Sequence, residues 1–391
     1  MSPILSSVES SITESPIRRI AQLLEKAGDD SSIISFGGGA PSLAPPKEVV
    51  DAMISSLRKD PFKAVSYTST KGLPSLREKI AEDLTKSGDS VDSNQIALST
   101  GATGGLFMAL EDIVNPGDEV IVSDPTYVGY EGPALIERAK LRRIPVKKEN
   151  DFQLTPDAVN ETITKKTKII IILSPDNPTG RIQKKKNVKG IADIAKDNNL
   201  WIVSDDTYKD IIYEGSHTYI HKYAPENTIT ACTFSKSSSI PGLRLGYVYG
   251  PKEAIDGITK FSQYVMLCTN KLSQAAAEAF YPVKETYLNK TVIPTYKKRR
   301  DVMGNMIKKH LSVCDYVKPH GAFYYFVDLC DSKLDDEEFC NRLLEEQKVV
   351  AIPGKYFGNE GKGHIRLTFV SENEKRIEEG ILKIKDFMEE L

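Results

Sequence analysis

The sequence predicts an α/β fold: a large domain on a mostly parallel sheet flanked by helices, joined to a smaller α+β domain. Three observations carry this. The chain has 391 residues, too many for one ordinary core, so two domains are expected. Through its middle, short runs rich in Ile and Val alternate with longer mixed segments, as strands buried on both faces alternate with helices. The last hundred or so residues change character, with long charged helical patterns around a few short strands.

Strands are expected at 95–99, 119–123, 140–146, 168–173, 200–204, 228–234 and 246–249, with helix-like stretches such as 104–113 and 189–198 between them. Beyond them come a helix at 291–310, a strand at 323–328, a helix at 335–347, strands at 349–352 and 364–369, and an amphipathic helix at 372–391. The Pro- and Gly-rich stretch 36–46 reads as a linker. The expected division is an extension at 1–14, an N-terminal part of the small domain with its linker at 15–45, a large domain at 46–285 and a small domain at 286–391.

Hydrophobic residues make up 40% and charged residues 27%, the balance of a soluble globular protein. The net charge of −2 offers no bulk attraction to nucleic acid or to a membrane surface, and neither partner is expected. The apolar run 169–173 is far too short to span a bilayer. The polar stretch 1–15 lacks the basic and apolar regions of a signal peptide. Five cysteines (Cys232, Cys268, Cys314, Cys330 and Cys340) are odd in number and have no C-x-x-C spacing, so reduced thiols in the cytoplasm are expected.

In open α/β sheets ligands sit beyond the carboxyl ends of the strands. Four such positions hold suitable chemistry. Ser99-Thr100-Gly101-Ala102-Thr103-Gly104 leads small residues into a helix, leaving free N–H groups for an anion such as phosphate. Pro175-Asp176-Asn177-Pro178-Thr179-Gly180 fixes an amide between two prolines, able to donate to a phenolate-like oxygen. Ser204-Asp205-Asp206-Thr207-Tyr208 puts a carboxylate at a strand end, where it can hold a protonated ring nitrogen or simply cap a helix. Thr233-Phe234-Ser235-Lys236, followed by Pro241-Gly242-Leu243-Arg244, gives a lysine room to form an imine and an arginine able to clamp phosphate. Each signal alone is weak, since turns, caps and surface lysines use the same residues.

Their order, however, resembles the fold-type I pyridoxal-phosphate enzymes, specifically the class I/II aminotransferases, from about Ser15 onward. Asn177-Pro178-Thr179-Gly180 matches the N-P-x-G turn. Ser235-Lys236 with Pro241-Gly242-Leu243-Arg244-Leu245-Gly246 matches the lysine motif, and His364-Ile365-Arg366-Leu367 the C-terminal arginine motif. The resemblance implies pyridoxal 5'-phosphate as cofactor and Lys236 as its imine lysine and proton shuttle. It implies that Asp205 pairs with the pyridine nitrogen, that Asn177 and Tyr208 hold the phenolic oxygen, and that Tyr127 stacks on the ring. Gly101, Ala102, Thr103, Ser235 and Arg244 would bind phosphate, and Tyr67 would reach the phosphate of the neighbouring subunit in a homodimer. Arg366 would pair with the substrate α-carboxylate, with the Gly39 backbone close by. The reaction implied is ping-pong transfer of an amino group between an L-amino acid and a 2-oxo acid, with glutamate and 2-oxoglutarate as one pair. Ser15-Pro16-Ile17-Arg18 with Phe36-Gly37-Gly38-Gly39-Ala40-Pro41 resembles the broad-specificity group acting on aromatic, 2-aminoadipate and branched substrates, and aspartate stays open.

Two departures stand out. Asp205-Asp206 replaces the usual Asp-Glu, and Ser237–Ser239 makes the lysine loop serine-rich. His217 and His221 are four apart in a loop with no clear third ligand, so no metal site is expected. The alternative on the same fold is a carbon–sulfur β-lyase. A regulator module is disfavoured, because 1–45 looks too short to hold a DNA-binding domain.

Overall fold

The computed structural model describes residues 31–330 and 332–391, together with Ser6, Val8, Glu9 and Ile12. The motif Ser15-Pro16-Ile17-Arg18 and most of 1–30 lie outside the described residues. The larger sheet has seven strands, in the spatial order Ile96–Ser99, Gly246–Tyr249, Thr228–Thr233, Trp201–Asp205, Thr167–Leu173, Glu119–Asp124 and Lys140–Pro145. Every one lies within a residue of its predicted bounds. Gly246–Tyr249 pairs antiparallel with both neighbours, and the other four pairings are parallel. The chain returns from Thr233 to Gly246 without a crossover helix, so that pair must be antiparallel. The return places Lys236 and Arg244 in a single turn at the carboxyl end of the sheet.

The strand Thr167–Leu173 shows why the sheet is a buried layer. Ile169, Ile171 and Leu173 pack with Leu106, Leu110 and Val203 on one face. Ile170 and Ile172 pack with Val188, Ile191 and Ile202 on the other. Alternation sends successive side chains to opposite faces, and both faces are covered. Each such burial stabilises by roughly 1.5–3 kcal/mol. The covering helices include Gly101–Ile113 and Lys185–Asp197. Both start earlier than the sequence suggests. Gly and Thr favour helix weakly, and a lysine run shows no apolar period, so both starts are fixed by packing: Ala102, Gly105, Asn187 and Val188 are all buried.

A second, antiparallel sheet orders Ile352–Pro353, His364–Thr368, Tyr324–Asp328 and Asp315–Tyr316. The helices Ile293–His310, Asp336–Gln347 and Glu374–Glu389 accompany it. The single strand expected at 349–352 is two. Val349–Val350 pairs in parallel with Ile34–Ser35, and Ile352–Pro353 pairs with the strand His364–Thr368. Two-residue strands such as Ile34–Ser35 and Asp315–Tyr316 are too short to show a period. The stretch read as a linker is tied down at its start. Phe36 N–H donates to the Val350 carbonyl at 2.9 Å, and the Phe36 carbonyl accepts from Thr368 N–H at 2.8 Å. One apolar cluster joins the two sheets, with Leu98, Tyr208 and Phe234 against Tyr296, Phe323 and Leu367.

Candidate active site

The carboxyl ends of the large sheet face the second sheet across a cavity of about 300 Å³. Its walls include Gly39, Ala102, Thr103, Tyr127, Asn177, Asp205, Tyr208, Ser235, Lys236, Arg244 and Arg366. These come from seven separate stretches of chain and meet only in the fold.

The anion cradle forms first. The helix Gly101–Ile113 begins at a residue with φ +72°, and Thr100 makes no side-chain cap, so the first-turn N–H groups stay available. A Cβ on Gly101 would lie 2.8 Å from Nη2 of Arg244, which therefore reaches that helix start. Ser235 completes the cradle and is fixed locally, its Oγ accepting from Thr233 Oγ1 at 2.9 Å. A cation, a hydroxyl and a helix N-terminus facing one space suit a phosphate.

Lys236 follows one residue later. Its Nζ donates to the Gly39 carbonyl at 2.8 Å and sits 5.7 Å from the centre of the Tyr208 ring. Burial, then the Arg366 and Arg244 charges, lower its pKa from 10.5 to about 8. A large share of this amine is thus neutral near pH 8, and only the neutral amine is nucleophilic. Asp205 ends its strand on the same cavity. Its Oδ1 accepts from Thr207 N–H at 3.1 Å and its Oδ2 from the Tyr130 hydroxyl at 2.9 Å. Burial raises its pKa, and those two donors oppose the rise. A buried anion held at both oxygens suits a cationic ring N–H.

Arg366 arrives from the second sheet. Nη1 donates to Asn177 Oδ1 at 3.0 Å and Nη2 to the Gly37 carbonyl at 2.7 Å. Its Nε is buried and has no partner among the described residues, an open donor such as a carboxylate ligand would satisfy. Because arginine only donates, Asn177 must turn its oxygen toward it, leaving its NH₂ free to donate elsewhere. Gly39 has no room for a side chain, since a Cβ there would lie 2.1 Å from the Tyr324 hydroxyl.

Not every expected residue lines this cavity. Tyr67 is 81% exposed and borders a different surface cleft with Val65 and Cys268–Leu272. Gly101 lies just behind the wall. Asp206 turns away from Asp205, accepting from Ser204 Oγ at 2.6 Å and pairing with His217 Nε2 at 2.9 Å. His221 instead pairs with Asp89 at 2.8 Å, so the two histidines serve different carboxylates. In the serine run, Ser238 donates to the Phe234 carbonyl and Ser239 accepts from Tyr287, so both bond within the protein. Tyr130 and Tyr324 were not foreseen. Tyr130 follows Tyr127 by three residues but reads as core, and Tyr324 opens an aromatic strand that also reads as core.

The model of the family "Aminotransferase class I and II" matches residues 31–384. The aspartate aminotransferase of Pyrococcus horikoshii is 36% identical, with 92% of each chain covered. Aromatic-amino-acid aminotransferase 2 of Thermococcus litoralis is 31% identical, with 95% of each covered. The solved structure of the Thermus thermophilus aspartate aminotransferase with maleate is 27% identical and superposes with a TM-score of 0.93, covering 98% of this chain and 100% of that one. With a phosphate cradle, a buried amine and a buried carboxylate around one cavity, the chain belongs to the class I and II aminotransferases and is a pyridoxal-phosphate-dependent aminotransferase.

Proposed function

We propose that the enzyme passes an amino group between an L-amino acid and a 2-oxo acid in ping-pong fashion, with glutamate and 2-oxoglutarate as one pair. Donors are drawn from the aromatic, 2-aminoadipate, branched-chain and aspartate group. The observation that carries this is the convergence of Lys236, Asp205 and Arg366 on one cavity. Relatives named for aspartate and for aromatic amino acids support the donor range. The bound cofactor supplies an aldehyde for amine exchange and a ring that stores the electron pair left at Cα. Arg366 binds the substrate α-carboxylate through its open Nε and one Nη, and so presents the Cα–H bond to Lys236. Lys236 would take that proton onto its amine and give it back as the general acid. Asp205 would hold the ring nitrogen protonated, Asn177 and Tyr208 would hold the phenolic oxygen, and Tyr127 would cover one ring face. Gly101, Ala102, Thr103, Ser235 and Arg244 anchor the phosphate.

The test is a half-reaction. Each donor, added alone to the holoenzyme, converts the cofactor to its amine form, and 2-oxoglutarate then restores the original absorbance. Steady ammonia release with no stable amine form from any donor would instead mark a lyase.

The proposal includes a cytoplasmic homodimer in which Tyr67 of each copy completes the other's phosphate site. The domain division proposed is 46–285 and 286–391. Supporting the dimer, Phe62 (80%), Tyr67 (81%) and Tyr264 (91%) are exposed, with Val65 and Val265 beside them in the chain. Light scattering is expected to give twice the chain mass, 43.4 kDa. A fully active monomer would refute the composite site.

A further inference from the structure

Two phenols from different sheets meet inside the cavity. Tyr208 follows the strand Trp201–Asp205 of the large sheet, and Tyr324 opens the strand Tyr324–Asp328 of the small one. Their hydroxyl oxygens are 2.7 Å apart, and both side chains are buried. The rings meet edge to face at 5.9 Å, and Phe323 braces Tyr208 from another side at 5.3 Å. Gly39 leaves the room that the Tyr324 hydroxyl fills.

Two hydroxyls carry two protons, and one hydrogen bond between them uses only one. The other proton is left for a third group, so the direction of the bond decides which phenol faces a ligand as a donor. One observation sets that direction. The Arg366 guanidinium lies 4.3 Å from the centre of the Tyr324 ring and withdraws electron density from it, which strengthens its O–H as a donor. We propose that Tyr324 is a positioning residue that donates to the Tyr208 oxygen, leaving the Tyr208 proton turned toward the cofactor's phenolic oxygen. This rests on the assignment of Tyr208 to that oxygen. Successive hydrogen bonds polarise one another, so Tyr324 makes Tyr208 the stronger donor. It also ties the small sheet to the acidity of the bound cofactor.

The experiment is a pH titration of the bound cofactor's absorbance in holoenzyme carrying Tyr324→Phe, Tyr208→Phe or both, with thermal melts to check folding. Donation to the phenolic oxygen favours its deprotonated form, so losing it raises the midpoint. Y324F is expected to raise the midpoint by about half a unit to one unit. Y208F should raise it further, and the double variant should match Y208F alone. In Y324F kcat should fall severalfold with KM for the donor little changed, which a merely structural role would not produce together with the midpoint shift. An unmoved midpoint in Y324F beside a moved one in Y208F overturns the proposal and leaves the Tyr208 assignment standing. An unmoved midpoint in Y208F removes that assignment, and the proposal with it. Additive shifts in the double variant show that Tyr324 does not act through Tyr208, and overturn the proposal too.

Discussion

Replacing Lys236 by alanine is expected to lower the rate of amino-group transfer by at least ~10⁴-fold while the protein still folds. On the proposed mechanism Lys236 supplies both the covalent attachment and the proton transfer. Among the described residues no other lysine lines the cavity to take over either task. The fold should tolerate the change. The lysine's folded pKa, about 8, lies below its ordinary 10.5, because the protonated amine is desolvated and faces Arg366 and Arg244. Folding therefore disfavours the charged amine. That destabilisation is absent well above pH 10.5, grows as pH falls toward 8, and is fully present below 8. Removing the amine should leave stability unchanged or slightly improved at neutral pH. Single-turnover assays and thermal melts check both halves. Near-normal turnover in the variant would remove Lys236 from the chemistry.

Asp205→Ala is expected to cost at least ~10²-fold in kcat, a barrier increase of about 2.7 kcal/mol, with some cofactor still bound. The carboxylate is held by the Thr207 N–H and the Tyr130 hydroxyl, so it cannot turn aside to escape its buried position. On the proposed mechanism its charge keeps the cofactor's ring nitrogen protonated, and without it the electron sink would weaken. The cradle around Arg244 and Ser235 is untouched by the substitution, so affinity through the phosphate survives. A kcat within twofold of the parent protein would take Asp205 out of the site.

Much of this was legible because it is local. Central strands of the large sheet such as Thr167–Leu173 and Trp201–Asp205 are largely apolar runs, and apolar runs of strand length betray themselves. Asn177, Asp205 and Lys236 were legible for a related reason: each sits at or just past the carboxyl end of a strand, where an α/β sheet binds its ligands. The convergence of Arg366 on Asn177 was not, because 189 residues separate them and only the fold brings them together. Tyr130 and Tyr324 escaped because a buried tyrosine looks like any other aromatic core residue until its hydroxyl partner is known. The early start of the helix Gly101–Ile113 escaped because packing against the sheet outweighs the weak helix preference of Gly and Thr. The split of 349–352 between two partners depends on a two-residue strand at Ile34–Ser35, for which the chain carries no periodic signal.

The most direct test of the account locates the cofactor on the chain. Holoenzyme is reduced with borohydride to make the lysine–cofactor bond permanent, then digested, and the peptides are sequenced by tandem mass spectrometry. The account predicts a phosphopyridoxyl group on Lys236, in near-stoichiometric amount and on no other lysine. The group on a different lysine, or an unmodified Lys236 peptide from fully loaded enzyme, would contradict it.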